Sequence, residues 1–269
     1  MHVEVPRGRP RVVATDLDGT LLDRRGEVTA RTRAALRRLW RLGIETVLVT
    51  ARPPRWIDPL ADLVGGHGVA ICANGAFVYD VAARQVTEVL GMAPERVREL
   101  ACDIRGAVPG VVFAAELADG FYAEPNFPAR HPLSRENERS ALAIEQVAAP
   151  VGKLLARAPH ADEEDFLARV VSVVGTRGIV AYSGAVGLAE IGPPGVTKAS
   201  ALRAWCTLRG IDAAQVWAFG DMPNDVPMLT WAGVSFAMAN GHEQARAAAS
   251  YTCPGNDDDG VARTLESIR

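Results

Sequence analysis

Short apolar runs alternate with helical patterns through both ends of this chain, and each run breaks off in a small polar cluster. Val12–Thr15 ends in Asp16-Leu17-Asp18-Gly19-Thr20. Residues 44–50 end in Ala51-Arg52-Pro53-Pro54, and residues 69–73 in Asn74-Gly75. Between these runs lie two helical patterns. One is capped by Thr29, carries Ala34, Ala35, Leu39 and Trp40 on its apolar face and stops at Gly43; the other covers residues 56–64. Continuously apolar runs suit strands buried on both faces. The alternation therefore predicts a parallel sheet with helical crossovers.

The rhythm breaks after Asn74-Gly75. Residues 77–81 and 85–89 read as a hairpin, and 91–188 as mixed helices and strands around a polar, Pro-rich loop at 123–139. It resumes after Gly192-Pro193-Pro194-Gly195, with helices over 198–209, 225–231, 242–250 and 260–268 and strands over 216–219 and 234–237. The fold expected is α/β: a Rossmann-like, doubly wound parallel sheet core from residues 1–82 and 190–269. An α+β domain, residues 83–189, is inserted into it.

With 269 residues the chain can bury a sizeable core without disulfide or metal staples. Its 48% hydrophobic and 23% charged content excludes a disordered or collagen-like chain. A net charge of −3 offers no basic field for nucleic acid. The first residues hold no signal-peptide core, and no uncharged stretch reaches the roughly 20 residues of a membrane span. Neither nucleic acid nor membrane is expected as a partner. Cys72, Cys102, Cys206 and Cys253 show no paired spacing. They read as buried small hydrophobes in a reducing compartment, which makes a cytoplasmic location the expectation.

Four segments at strand ends carry chemistry, at the edge where open parallel sheets bind ligands. Asp16 and Asp18, two apart on extended chain, point to one site, and Gly19 lets the chain turn there. Such a pair either holds a hard cation or divides into nucleophile and acid/base. Thr50 offers a hydroxyl to a phosphate oxygen, and Lys198 a compact positive charge. Gly220-Asp221-Met222-Pro223-Asn224-Asp225 adds carboxylates at another strand end.

In order and spacing these segments resemble the four motifs of the haloacid dehalogenase superfamily of phosphohydrolases. The insertion resembles the class IIB cap of its Cof-type subfamily. Ala73-Asn74-Gly75-Ala76, Met238-Ala239-Asn240-Gly241 and Asp258-Asp259-Gly260-Val261 add to that likeness. The resemblance implies Asp16 as nucleophile and Asp18 as acid/base. It implies Mg2+ held by Asp16, the Asp18 carbonyl and Asp221. Thr50, Lys198 and Asn224 would grip the phosphoryl group, with the backbone at Leu17 and Ala51, and Asp225 would anchor Lys198 or a metal-bound water. Ala51 departs from the commoner glycine, without removing a functional group.

The expected activity is Mg2+-dependent hydrolysis of a small phosphate ester, a sugar phosphate first. A phosphotransferase or mutase and a non-catalytic ligand-binding relative are the alternatives. An ion pump is excluded because no segment could span a membrane. Gly65-Gly66-His67-Gly68 is no dinucleotide fingerprint, since it precedes a strand. Candidate substrate contacts are Asn74 and, in the insertion, Phe121, Tyr122, Glu124, Arg130 and His131.

Overall fold

The computed structural model describes residues 8–65, 68–128, 138–140, 143–181 and 187–268. They form two compact units. The first comprises the described residues within 1–52, 57–87 and 197–269, the second those within 53–56 and 88–196.

In the first unit, strands β1 (Val12–Thr15), β2 (Glu45–Val49), β3 (Val69–Cys72), β4 (Phe77–Asp80) and β5 (Gln85–Val89) join β12 (Val216–Gly220), β13 (Val234–Met238) and β14 (Tyr251–Cys253). The sheet order is β14-β13-β12-β1-β2-β3-β4-β5. From β14 to β3 every pairing is parallel, and β4 then runs antiparallel to β3. Val12, Val13 and Ala14 are all fully buried, but only Val13 joins the cluster that holds Leu36, Leu39, Val261 and Leu265. Neighbouring strand residues thus face opposite layers, as a doubly wound sheet requires. One layer holds α1 (Ala30–Arg41) and α7 (Gly260–Leu265); α4 (Lys198–Leu208), α5 (Val226–Trp231) and α6 (Glu243–Ala248) pack in succession in another.

Local chemistry explains where these elements start. Thr29 accepts a hydrogen bond from the N–H of Thr32 at the head of α1, and Thr197 caps α4 reciprocally with Ser200. Ala34 lies on the exposed side of α1, and Leu36 takes the buried place expected of it. Residues 56–64 are not an α-helix. They form 3-10 turns at Pro54–Trp56 and Asp58–Leu63, because Pro53, Pro54 and Pro59 remove the amide donors a continuous helix needs.

In the second unit, β6 (Val112–Leu117), β7 (Gly120–Ala123), β8 (Glu138–Ser140), β9 (Lys153–Arg157), β10 (Ile179–Ala181) and β11 (Leu188–Gly192) form one sheet. Its order is β10-β11-β9-β6-β7-β8. Helices α2 (Pro94–Ala107) and α3 (Glu163–Val174) pack together over it, around Phe113, Leu154, Phe166 and Ile191. The units part at 87/88 and 196/197 instead of 82/83 and 189/190. The first of these boundaries falls within β5, which pairs in the first sheet, and the second follows β11, which pairs in the second sheet. Two strands lie where the sequence suggested a loop or a helix end, β8 and β14. Of the four cysteines, Cys102 on α2 is exposed, contrary to expectation; the other three are buried.

Candidate active site

Because β1, β2, β3 and β12 are parallel neighbours, Asp16, Thr50, Asn74 and Asp221 all emerge at the same edge of the sheet. The N–H of Asp16 donates to the carbonyl of Phe219, which ties the end of β1 to the end of β12. Helix α4 places Lys198 at this edge, where its side chain is 1% exposed. The Lys198 Nζ donates to Asp16 Oδ1 at 2.7 Å and to Asp225 Oδ1 at 2.6 Å. The other Asp225 oxygen accepts the N–H groups of Asp221 and Met222, each at 3.0 Å. Asp225 is therefore an anchor for Lys198 and for the loop after β12.

Asp221 accepts from the Thr20 hydroxyl at 2.6 Å. Gly19 packs against its other oxygen: a Cβ there would lie 2.3 Å from Asp221 Oδ2, and the residue has φ +80°. Only glycine meets both conditions. Carboxylate oxygens of Asp16, Asp221 and Asp225 all lie within 4.8 Å of one another. Burial raises the Asp16 carboxyl well above the ordinary range despite Lys198, with Asp225 and Asp221 adding to the rise. Burial likewise pushes Asp221 up to about 6. For Lys198 burial acts to lower the pKa, but Asp16 and Asp225 outweigh it and hold the ammonium protonated, above its usual value.

This arrangement fits a divalent cation. Three buried carboxylates share one ammonium, and the excess negative charge is of the kind a hard cation neutralises. Asp225 has both oxygens engaged by Lys198 and backbone, so Asp16 and Asp221 are the carboxylates suited to ligation.

Asp18 stands apart from this cluster, with its side chain 60% exposed. Arg52 clamps it bidentately, Nε to Oδ2 at 2.8 Å and Nη2 to Oδ1 at 2.5 Å. Thr50 is fully buried, and its Oγ1 accepts from the N–H of Arg52 at 3.1 Å. Leu17 is buried in the core, so only its backbone can face a ligand. Asn224 donates from Nδ2 to Asn74 Oδ1 at 3.1 Å. Asn74, expected as a substrate contact, is thus turned toward the loop after β12.

Of the candidates in the second unit, Arg130 and His131 lie outside the described residues. Glu124 is corrected from substrate contact to strut. It is 7% exposed, and its carboxylate accepts the N–H groups of Phe113 and Ile144 as well as the Arg105 guanidinium. Phe121 is buried, with the Arg55 guanidinium 4.9 Å from its ring centre. Tyr122 is half-buried against the second unit's core.

Thr20, Arg52 and Asn240 belong to the site without having been singled out as site residues. Asn240 Nδ2 donates to the Gly19 carbonyl at 2.9 Å, and its Oδ1 accepts from the N–H of Asn256. All three lie inside or beside the strand-end motifs, so a signal was present for each. Their partners, Asp221, Asp18 and the Gly19 carbonyl, are revealed only by the fold.

At this sheet edge the buried Lys198 bridges Asp16 and Asp225 beside Asp221. The chain belongs to the haloacid dehalogenase-like hydrolase family, whose sequence profile matches residues 13–265. Within that family it is a Cof-type phosphatase, a phosphoric monoester hydrolase. It is 26% identical to pyridoxal phosphate phosphatase YbhA of Escherichia coli, over 96% of this chain and 98% of that protein. It is 27% identical to 5-amino-6-(5-phospho-D-ribitylamino)uracil phosphatase YitU of Bacillus subtilis, over 96% and 97%. In fold it is similar to the crystal structure of a haloacid dehalogenase subclass IIB sugar phosphatase, with TM-score 0.77, 21% identity and coverage of 95% and 97%. No described helix is long and apolar enough to cross a membrane.

Proposed function

We propose that the chain hydrolyses a small phosphorylated metabolite, a sugar phosphate first, with Mg2+ as its cation and an aspartyl-phosphate at Asp16. The observation that carries this reading is the buried Lys198 ammonium bridging Asp16 and Asp225. It fixes one oxygen of Asp16 and leaves the other to approach phosphorus, while its own positive charge lies where negative charge grows during phosphoryl transfer. Asp16, Asp221 and the Asp18 carbonyl would hold Mg2+. When bound, the ion supplies Lewis-acid neutralisation of phosphoryl oxygens.

The chain's own residues then act in sequence. Thr50, Lys198 and Asn224 bind and orient the phosphoryl group. Asp16 attacks phosphorus, and the P–O bond to the leaving alcohol breaks. Asp18, released from Arg52 and having taken up a proton from solvent, gives that proton to the alcohol. It then takes a proton from the water that attacks the aspartyl-phosphate, freeing inorganic phosphate and restoring Asp16.

The test is a screen of phosphorylated metabolites with Mg2+ and with chelator. Sugar phosphates, pyridoxal phosphate and ribityl-type phosphates are the arms. The reading expects phosphate release that Mg2+ supports, that EDTA abolishes and that ranks a sugar phosphate highest. Release unaffected by excess EDTA contradicts the metal assignment, and preference for pyridoxal phosphate contradicts the substrate class.

A further inference from the structure

The turn after β3 carries more of the site than its sequence suggests. Ala73, Asn74 and Gly75 have φ of 51°, 57° and 111°, three consecutive residues in the left-handed region. Alanine rarely adopts this conformation, so the surroundings must hold it there. Four attachments do. The N–H of Ala73 donates to the Arg52 carbonyl at 2.9 Å, and the N–H of Asn74 to the Thr50 carbonyl at 3.0 Å. Gly75 lies so near the head of α4 that a Cβ would come 2.4 Å from the Thr197 carbonyl oxygen. Finally, the Asn74 side chain accepts from Asn224. One turn is therefore fastened to the segments that present Thr50, Lys198 and Asn224.

The Asn74–Asn224 bond has a specific consequence. A side-chain amide has two N–H donors on one planar nitrogen. When Asn74 Oδ1 takes one, the plane of the Asn224 amide is fixed, and so is the direction of the second donor.

We propose that Asn74 is a positioning residue for the phosphoryl grip: it accepts one Asn224 amide hydrogen and so aims the other at a phosphoryl oxygen. This rests on the reading above that Asn224 binds that group. Asn74 itself makes no contact with the ester's organic part in this account. Its own N–H, bonded to Thr50, keeps the Thr50 and Asn224 loops in a common register.

A double-mutant cycle on the full chain with Mg2+ tests this, read as kcat/KM on the best substrate of the screen and as the Kd for inorganic phosphate. Asn74→Gly removes the amide but keeps the left-handed turn accessible, since glycine adopts positive φ freely. Each single substitution, Asn74→Gly and Asn224→Ala, should lower kcat/KM by roughly tenfold, about what one lost hydrogen bond to a charged group costs. The double variant should be no worse than Asn224→Ala alone, because Asn74 acts only through Asn224. In an Asn74→Asp background the acceptor oxygen survives, so Asn224→Ala should still exact its full loss, whatever the new charge does to the starting rate. If the two losses multiply, Asn74 works independently of Asn224 and the proposal is wrong while the phosphatase reading stands. If Asn224→Ala alone changes neither kcat/KM nor phosphate affinity, Asn224 is no phosphate ligand, and both its assignment and the proposal fall.

Discussion

The two units treat buried charge in opposite ways. In the second unit each described buried glutamate meets a cation: Glu116 meets Arg55, Glu190 meets Lys153, and Glu124 meets Arg105, which also reaches the half-buried Glu145. Glu124 also accepts two backbone amides, so its carboxylate is spent on architecture. In the first unit Asp16, Asp221 and Asp225 crowd together around one Lys198. Matched burial holds a fold in place; unmatched burial keeps electrostatic energy in reserve, and functional sites are where proteins tolerate it. The contrast sets the crowded carboxylates Asp16, Asp221 and Asp225 apart from the individually paired glutamates of the second unit.

Four substitutions probe that contrast, in descending order of effect. Asp16→Asn should lower kcat by far more than about a hundredfold with little change in melting temperature, because the amide fills the same space but cannot attack phosphorus. A stopped assay on the purified variant and a thermal melt decide it together. Lys198→Ala should remove roughly 3–4 kcal/mol of transition-state stabilisation. It should also destabilise the fold by about 3–5 kcal/mol, since it leaves buried carboxylates without their cation. Added Mg2+ should restore part of the stability and little of the rate.

Asp221→Asn comes third, and its effect depends on pH. Burial raises the Asp221 pKa from 3.8 to about 6, so its protonated form is the one the fold favours. The carboxylate therefore costs the cation-stripped protein stability that grows as pH rises from about 4 to 6 and is absent below both values. In EDTA, Asp221→Asn should melt higher than the parent above pH 6, and the gain should vanish near pH 4. Mg2+ affinity of the parent should rise through the same window, because the ligand must lose its proton. A melting advantage that persists at low pH would count against an ionised Asp221 as its source. Glu124→Gln should show the smallest catalytic effect of the four. Losing its charged partnership with Arg105 should cost about 1.5–3 kcal/mol of stability. Hydrolysis of a small aryl phosphate per folded molecule should stay unchanged; a selective loss of metabolite turnover would return Glu124 to the substrate contacts.

Legibility followed the same divide. β1, β2, β3 and β12 are buried on both faces, and burial of that kind writes itself as an unbroken apolar run. Their ends then locate Asp16, Thr50, Asn74 and Asp221 without coordinates, and the motif likeness assigns roles. β7, with Gly120 and two aromatics, and β8, beyond a Pro-rich stretch, carry no such run. Their place is fixed by pairing: β7 folds back on β6, and β8 returns from farther along the chain to lie beside β7. Glu124 was misread for that reason, since nothing local says that β6 and residue 144 will deliver amides to it. Side-chain partnerships between strand ends were equally hidden. Arg52 on Asp18, Thr20 on Asp221 and Asn240 on Gly19 each join segments far apart in sequence, and only the strand order brings them together.

In the proposed reaction Asp16 is the group that takes the phosphoryl from the ester. The most direct measurement is acid-quenched mass spectrometry of Asp18→Asn mixed with an activated aryl phosphate and Mg2+. A good leaving group needs no proton from residue 18, whereas the second step needs a base there, so the covalent adduct should accumulate. The account predicts one phosphoryl group added to the chain, mapped by peptide fragmentation to Asp16 and absent from Asp16→Asn. Turnover by Asp18→Asn at the parent's rate, or an adduct on any other residue, would contradict it.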